Sequence, residues 1–376
     1  MRFRFMFWAI LGLAVLSAAG VGAWIATLPP ASVAVAPPVP QAETDAMLDM
    51  LKPPKRARPL VAIVGINDAT ELTDYLLPYG ILKRADVAEV VSLATGPGPV
   101  RLFPALTVQP DMIIAAFDAA HPQGADYVIV PAMSRDDDPA VIGWLRDQAE
   151  KGATIIGICA GAKVVAAAGL LNGKRATTHW YYLDRMRKID PTVALVPDRR
   201  MVADEGVVTT TGITASMPTM LMLIEAIADR AKAEAVARDL GIATWDARHA
   251  SGAFRLTRPF ATTVLANRLA LWNREELGIG LAPGMDEVSL ALVADAWSRT
   301  YRSHATSHAS SGVVETRNGI RVIPDRSGAT WPEERRVSIL PDSKPAEALD
   351  RTLDAITARY GARTTNVVAM QMEYPR

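Results

Sequence analysis

The sequence has a single cysteine, Cys159, in 376 residues, and its 40 basic side chains are balanced by 40 acidic ones. One thiol excludes an intrachain disulfide framework and a cysteine-based structural zinc site. Zero net charge removes the electrostatic footprint of a nucleic-acid binder, so no such partner is expected. No Walker or dinucleotide-type glycine signature occurs, which argues against a nucleotide cofactor. What remains is a chain that is 50% hydrophobic, ample for a buried core and incompatible with global disorder. At about 150 residues per domain, its length allows roughly two folded units.

Part of the apolar excess is local. From Phe5 to Leu28 no residue is charged. As a helix, this stretch would extend about 36 Å, enough for a bilayer core of roughly 30 Å. Arg2 and Arg4 precede it, whereas Glu43, Asp45 and Asp49 follow before the next basic residue, Lys52. The positive-inside rule then leaves the N-terminus in the cytoplasm and the body of the chain outside. Residues 1–28 therefore read as a transmembrane signal-anchor, with the soluble part extracytoplasmic (periplasmic in a Gram-negative cell). A cleaved signal peptide is the rival reading, through Ser17-Ala18-Ala19 or Val21-Gly22-Ala23. Residues 29–58, rich in proline, read as an extended spacer without a core.

From Leu60 onward, short apolar runs alternate with amphipathic stretches. Strands are expected at 60–65, 87–94, 126–132 and 153–159, and helices at 70–84, from Pro139 to 151, and at 162–171. Asp138 is placed to cap the second of these helices, with Pro139 at its first position. This makes Asp136-Asp137-Asp138 a helix start rather than a metal site. Weaker strands near 193–211 and a long helix over 214–240 complete an α/β unit at 59–240, with a mostly parallel sheet sandwiched by helices. Residues 241–376 read as a C-terminal α/β extension. Within it, 277–301 repeats the strand, acidic turn and helix of 60–82, which suggests a degenerate partial repeat. A hairpin is expected around Asn318-Gly319, a further apolar stretch at 335–341 and a helix at 345–359. His304 and His308 lie in a stretch, RSHATSHASSG, that reads as a loop without a third ligand; no metal is expected.

The strongest chemical signal is Gly157-Ile158-Cys159-Ala160-Gly161, between an apolar strand and a helix. Flanking glycines allow the sharp turn of a nucleophile elbow, which lifts the central side chain off the sheet. The helix beginning beyond it is expected to lower the thiol pKa.

The segment GICAGAKVVAAAGLLNGKRATTHW (157–180) resembles the cysteine elbow and following helix of the PfpI/ThiJ superfamily. It is most similar to the branch containing isonitrile hydratase and the amidase-like domains of AraC-type regulators. The resemblance implies a flavodoxin-like, class I glutamine amidotransferase-like fold, with Cys159 as nucleophile. It places the family's helix acid at Asp74, ahead of Pro78, with Glu71 one turn earlier as second choice. Backbone N–H groups of Ala132, Met133 and Ala160 would form an oxyanion site. His179 would stand behind these groups, beside Trp180. Two departures stand out: Ala160 replaces the His or Thr that many relatives carry after the cysteine, and Pro131-Ala132-Met133 replaces a Pro-Gly-Gly-like turn. The resemblance implies a small-molecule substrate, isonitrile-hydratase-like lyase or hydrolase chemistry, no cofactor, and a homodimer or an intrachain pseudo-dimer. A non-catalytic ligand- or redox-sensing module is the alternative, and amide or peptide hydrolysis comes third. The helix-turn-helix pair of an AraC-type regulator is not seen in the sequence.

Overall fold

The run LVAIVG at 60–65 is buried at every position, the pattern of a strand covered on both faces. The computed structural model describes all residues except Met1, Ser311, Ala329, Leu340, Pro341 and Arg376, and leaves aside the side chains of residues 2–5, 7, 9–11, 14 and 18. The chain begins with α1 (Arg2–Thr27), α2 (Gln41–Met50), β1 (Leu60–Gly65), β2 (Asp68–Glu71), α3 (Leu72–Ala85) and β3 (Glu89–Ala94). Then follow β4 (Val100–Phe103), β5 (Thr107–Gln109), β6 (Met112–Ile113), α4 (Ile114–Ala120), β7 (Tyr127–Val130), α5 (Pro139–Glu150) and β8 (Thr154–Gly157). The first half closes through α6 (Gly161–Ala167), β9 (Arg175–Ala176), α7 (Leu183–Ile189), β10 (Ala194–Leu195), β11 (Met201–Asp204), β12 (Val207–Thr210), α8 (Ser216–Ile227) and α9 (Arg230–Leu240). The second half begins with α10 (Arg258–Leu269), β13 (Glu275–Gly280), α11 (Glu287–Ser298) and β14 (Ser303–Ala309). It ends with β15 (Val314–Glu315), β16 (Arg321–Ile323), β17 (Arg326–Ser327), β18 (Arg336–Val337), α12 (Pro345–Tyr360) and α13 (Ala362–Met372).

The main sheet has the order β11-β12-β8-β7-β1-β3-β6. It is parallel except for the β11–β12 edge pair. This is a doubly wound α/β sheet, and its strand ends carry the site. Asp138 accepts N–H bonds from Ala140 and Val141, with Pro139 opening α5, as the capping pattern predicts.

The second half repeats part of the first with near-constant spacing. β13 and β14 are parallel neighbours joined through α11, as β1 and β3 are joined through α3. In the first pair Ile63 lies beside Ser92, and in the second Ile279 lies beside Ser307. Ser92 N–H and Oγ both donate to Asp111, at 2.8 and 2.7 Å, and Asp111 N–H donates back at 3.0 Å. Ser307 and Asp325 make the same three bonds at the same lengths.

The two halves meet through matching strands and helices. β5 and β16 pair antiparallel, with Val108 opposite Val322, and each belongs to an equivalent hairpin in which Val108 faces Val100 and Val322 faces Val314. α3 packs on α11 beside this junction. Arg84, at the end of α3, pairs with Asp286 at the cap of α11; Arg299, just past α11, pairs with Glu71 at the cap of α3. Such reciprocal contacts are the logic of an isologous interface, here inside one chain. Both helices contribute to one continuous hydrophobic core.

Several expectations need correction. The 29–58 spacer contains α2, whose Met47 is buried together with Leu51 just beyond it; Tyr127 Oη donates to Leu51 O at 2.6 Å. Lys55 and Arg56 bind Ala125 O and Asp126, so the end of this segment is tied to the domain. The helix expected over 214–240 breaks into α8 and α9, because Asp229 starts a new cap on Lys232 N–H. The histidine stretch expected to be a loop is β14, where alternating small residues hydrogen-bond to β13. Among the described residues no helix is long and apolar enough to cross a membrane. The span expected over 5–28 lies on α1, many of whose side chains fall outside the description.

A β-carbon at Gly80 would overlap Glu287 and Val288. That glycine sets how closely α3 and α11 approach. Gly80→Ala is therefore expected to lose about 2 kcal/mol by overpacking. Gly143→Ala, at an exposed position of α5 with nothing near its β-carbon, is expected to gain roughly 0.5–1 kcal/mol from helix propensity. Urea unfolding of both variants checks the pair, and equal effects would contradict the close approach.

Candidate active site

Cys159 follows β8 and precedes α6, with φ +53°. That left-handed conformation is unfavourable for a residue with a side chain, and the surroundings hold it in place. Cys159 N–H donates to Thr210 Oγ1 at 2.9 Å, and Thr178 Oγ1 donates to Cys159 O at 3.0 Å. Gly161 lets the turn pass the neighbouring strand, since a β-carbon there would overlap Val130 O. The glycine-flanked elbow read in the sequence is thus present, and Thr178 of the ATTHW stretch is one of its two anchors.

The thiol borders a cavity of about 270 Å³, lined also by Glu71, Lys163, His179, Tyr182 and Arg299. A larger, mostly apolar cavity of about 390 Å³ lies elsewhere, between residues 31–34 and α10 and α13. It contains no thiol or carboxylate side chain, so size alone does not locate the chemistry.

Three carboxyls and one guanidinium are buried behind the thiol. Arg299 Nε donates to Asp295 at 2.7 Å, and its other arm binds Glu71. Asp74 is fully buried; its Oδ2 accepts Ala132 N–H at 3.0 Å, while Oδ1 has no hydrogen-bond partner among the described residues. Burial raises the Glu71 pKa to about 8, despite the opposing pull of Arg299. Burial, then the neighbouring Glu71, raises that of Asp74 as well. Asp295 shifts upward for the same first reason. One cation cannot neutralise three carboxylates in a low-dielectric site, so the cluster retains protons at neutral pH and titrates as a unit. A carboxyl raised from 4.5 to about 8 keeps its proton in the folded chain after the unfolded chain has released it. Its contribution to stability therefore falls as pH rises through that window.

Asp74 and Glu71 both lie beside the thiol, but only Glu71 reaches the cavity wall. Among the expected oxyanion donors, Ala160 N–H points to the Cys159 sulfur. Ala132 requires correction: its N–H is taken by Asp74. Met133 lies in the cavity wall and bridges to Thr70. His179 also lines the cavity, yet its Nε2 donates to Gln371 O at 3.0 Å and its Nδ1 accepts Tyr181 N–H at 3.2 Å. With burial lowering its pKa to about 3, it is a neutral wall residue rather than a base for the thiol.

The expected thiol activation also requires correction. Burial raises the Cys159 pKa, and Asp74, Glu71 and Glu373 push the same way, against the pull of Ala160 N–H. The carboxyls and the depth of the site outweigh the one backbone donor.

Arg299, Lys163, Tyr182 and Gln371 were not singled out from the sequence. Arg299 had a signal available, since it occupies the position in the repeat that corresponds closely to Arg84. Among the described residues no group of three His, Cys, Asp or Glu side chains is placed to hold a metal.

This arrangement, a strained thiol at the strand ends of a doubly wound sheet with a buried acid behind it, defines a class of α/β cysteine-elbow domains. Residues 61–226 match the DJ-1/PfpI family, and the chain carries a domain of that family. It is 39% identical to isonitrile hydratase of Pseudomonas putida over 90 residues, which are 24% of this chain and 38% of that protein. It is 40% identical to the HTH-type transcriptional regulator CdhR of Pseudomonas aeruginosa over 86 residues, 23% of this chain and 25% of that protein. The crystal structure of DJ-1beta from Drosophila melanogaster aligns with TM-score 0.45 and 22% identity, over 50% of this chain and 99% of that one.

The raised thiol pKa generates a direct expectation. Iodoacetamide alkylation of Cys159 should accelerate only above about pH 9, because the thiolate is the nucleophile. Glu71 ionises first, near pH 8, and its charge then opposes thiolate formation. Glu71→Gln removes that charge and should move the profile down by about one pH unit. Mass spectrometry of the alkylated protein reads both. A wild-type apparent pKa below that of a free thiol, about 8.5, would contradict this account of the site.

Proposed function

We propose that this chain is a cysteine-dependent protein acting on a small molecule, by hydration of an electrophilic carbon of the isonitrile type. The observation that carries the proposal is Cys159 at a strained elbow, with Glu71 in the same cavity wall and the unpartnered oxygen of Asp74 behind it. In this reading the Cys159 sulfur bonds to the isonitrile carbon while a carboxyl group delivers a proton to that carbon. The thiol proton replenishes the carboxyl, leaving a thioimidate. Water then adds to the carbon, one of its protons passing through Glu71 to the nitrogen; the carbon–sulfur bond then breaks, the remaining hydroxyl proton passes to the sulfur to return the thiol, and a formamide is released. Carboxyls that retain protons at neutral pH suit the donor role. Ala160 N–H is the donor placed to stabilise the departing sulfur.

A ligand-sensing module is the second reading. It is favoured by the upward shift of the thiol pKa and by the similarity to a regulator such as CdhR.

Proton NMR of the protein incubated with cyclohexyl isocyanide distinguishes them. The enzyme reading expects a formamide proton signal, lost in Cys159→Ser and reduced at least about a hundredfold in Asp74→Asn, as for loss of a positioned acid. Binding without turnover in wild type and Cys159→Ser alike would favour the sensor.

We propose also that α1 anchors the chain to a membrane, with the remainder extracytoplasmic. The uncharged run from Phe5 to Leu28 and the outward-facing Trp8, Leu13, Val15 and Leu16 support this. The full chain should then resist carbonate extraction from membranes. A fragment from residue 29, which keeps α2 and its buried Met47 and Leu51, should be soluble and monomeric, because α11 already covers α3. Full release of the intact chain by carbonate would remove the anchor, and a fragment dimer would show a second contact face.

A further inference from the structure

Lys163, in α6, lines the thiol cavity and has no role in the chemistry above. It is nearly buried, and its Nζ lies 4.2 Å from the centroid of the Tyr182 ring. Its one acceptor among the described residues is Asp136, at 3.2 Å. Arg185 approaches the same carboxylate at 3.7 Å, so two cations share one anion. An ammonium carries three donors, and this one is held in place by the ring and the carboxylate. Also in the lining, Arg299 answers the acid cluster. Glu71, the carboxylate side chain in the cavity wall, keeps its proton near neutral pH. The uncompensated charge at this cavity is therefore positive and is carried by Lys163, which shares Asp136 with Arg185.

We infer that Lys163 is an anion-recognition residue, and that the ligand is a small organic acid bearing its electrophilic carbon close to a carboxylate. This rests on the proposed thiol chemistry and adds the substrate class. A cavity of about 270 Å³ is below the usual range for drug-sized ligands, which fits a small acid. The carboxylate would take the free donors of Lys163 while its neighbouring carbon faces Cys159.

Iodoacetate and iodoacetamide, which differ in charge but carry the same reactive carbon, provide the test. The measured quantity is the ratio of their alkylation rates at Cys159, in wild type, Lys163→Gln and Lys163→Arg, with circular dichroism confirming that each is folded. The ratio should favour iodoacetate in wild type relative to a free thiol. It should fall roughly tenfold in Lys163→Gln, on the scale of a charge-assisted hydrogen bond, and be retained in Lys163→Arg. An unchanged ratio in folded Lys163→Gln, with a reactive thiol, overturns the anion site alone. A Cys159 that reacts with neither reagent in the folded protein, and with both on unfolding, overturns the thiol chemistry and this inference together.

Discussion

The structure depends on one electrostatic problem and its solution: Glu71 and Asp74, beside the thiol, are buried together with Asp295, and a single guanidinium, Arg299, answers them. Removing charges from water costs several kcal/mol per ion even after relaxation. The cluster meets that cost partly through Arg299 and partly by retaining protons, as the raised carboxyl pKa values show. Arg299 and Asp295 belong to the C-terminal half, while Glu71 and Asp74 belong to the first. The site therefore exists only where the two halves pack, through α3 and α11.

That dependence assigns a role to the repeat. The second half has the same strand–helix–strand order, Ser–Asp bonding and hairpin as the first, and an arginine stands at each end of the paired helices. The arginines have different tasks. Arg84 ties Asp286 and Asp239 together at one end, whereas Arg299 enters the thiol site at the other. With no second cysteine in the chain, there is one thiol site per chain.

Much of this was legible in the sequence. The apolar runs gave the main strands, the Asp138-Pro139 cap gave α5, and the glycines around Cys159 gave the elbow, because each signal is local. The failures occurred where distant partners decide. The proline-rich segment forms α2 because Met47 and Leu51 find room in the core. SHATSHA becomes β14 because β13 lies beside it. A thiol preceding a helix looks activated until the carboxyls behind it are counted. Arg299 is far from Cys159 in sequence, and only the repeat register links it to Arg84.

The proton inventory also separates this site from one built on a cysteine–histidine pair. His179 is nearest in role to a base, yet both ring nitrogens are engaged by the backbone, and burial keeps the ring neutral. Proton transfer is left to the carboxyls. With the thiol shifted up alongside them, the resting site is a neutral thiol beside protonated acids. In such a site a preformed thiolate is costly, and the charge of an incoming ligand changes the balance more than it would in water. The electrophile and the ionisation of the thiol are then coupled. A ligand that brings its own anion to Lys163 is paired there with a cation, and the sulfur ionises only as its new bond forms.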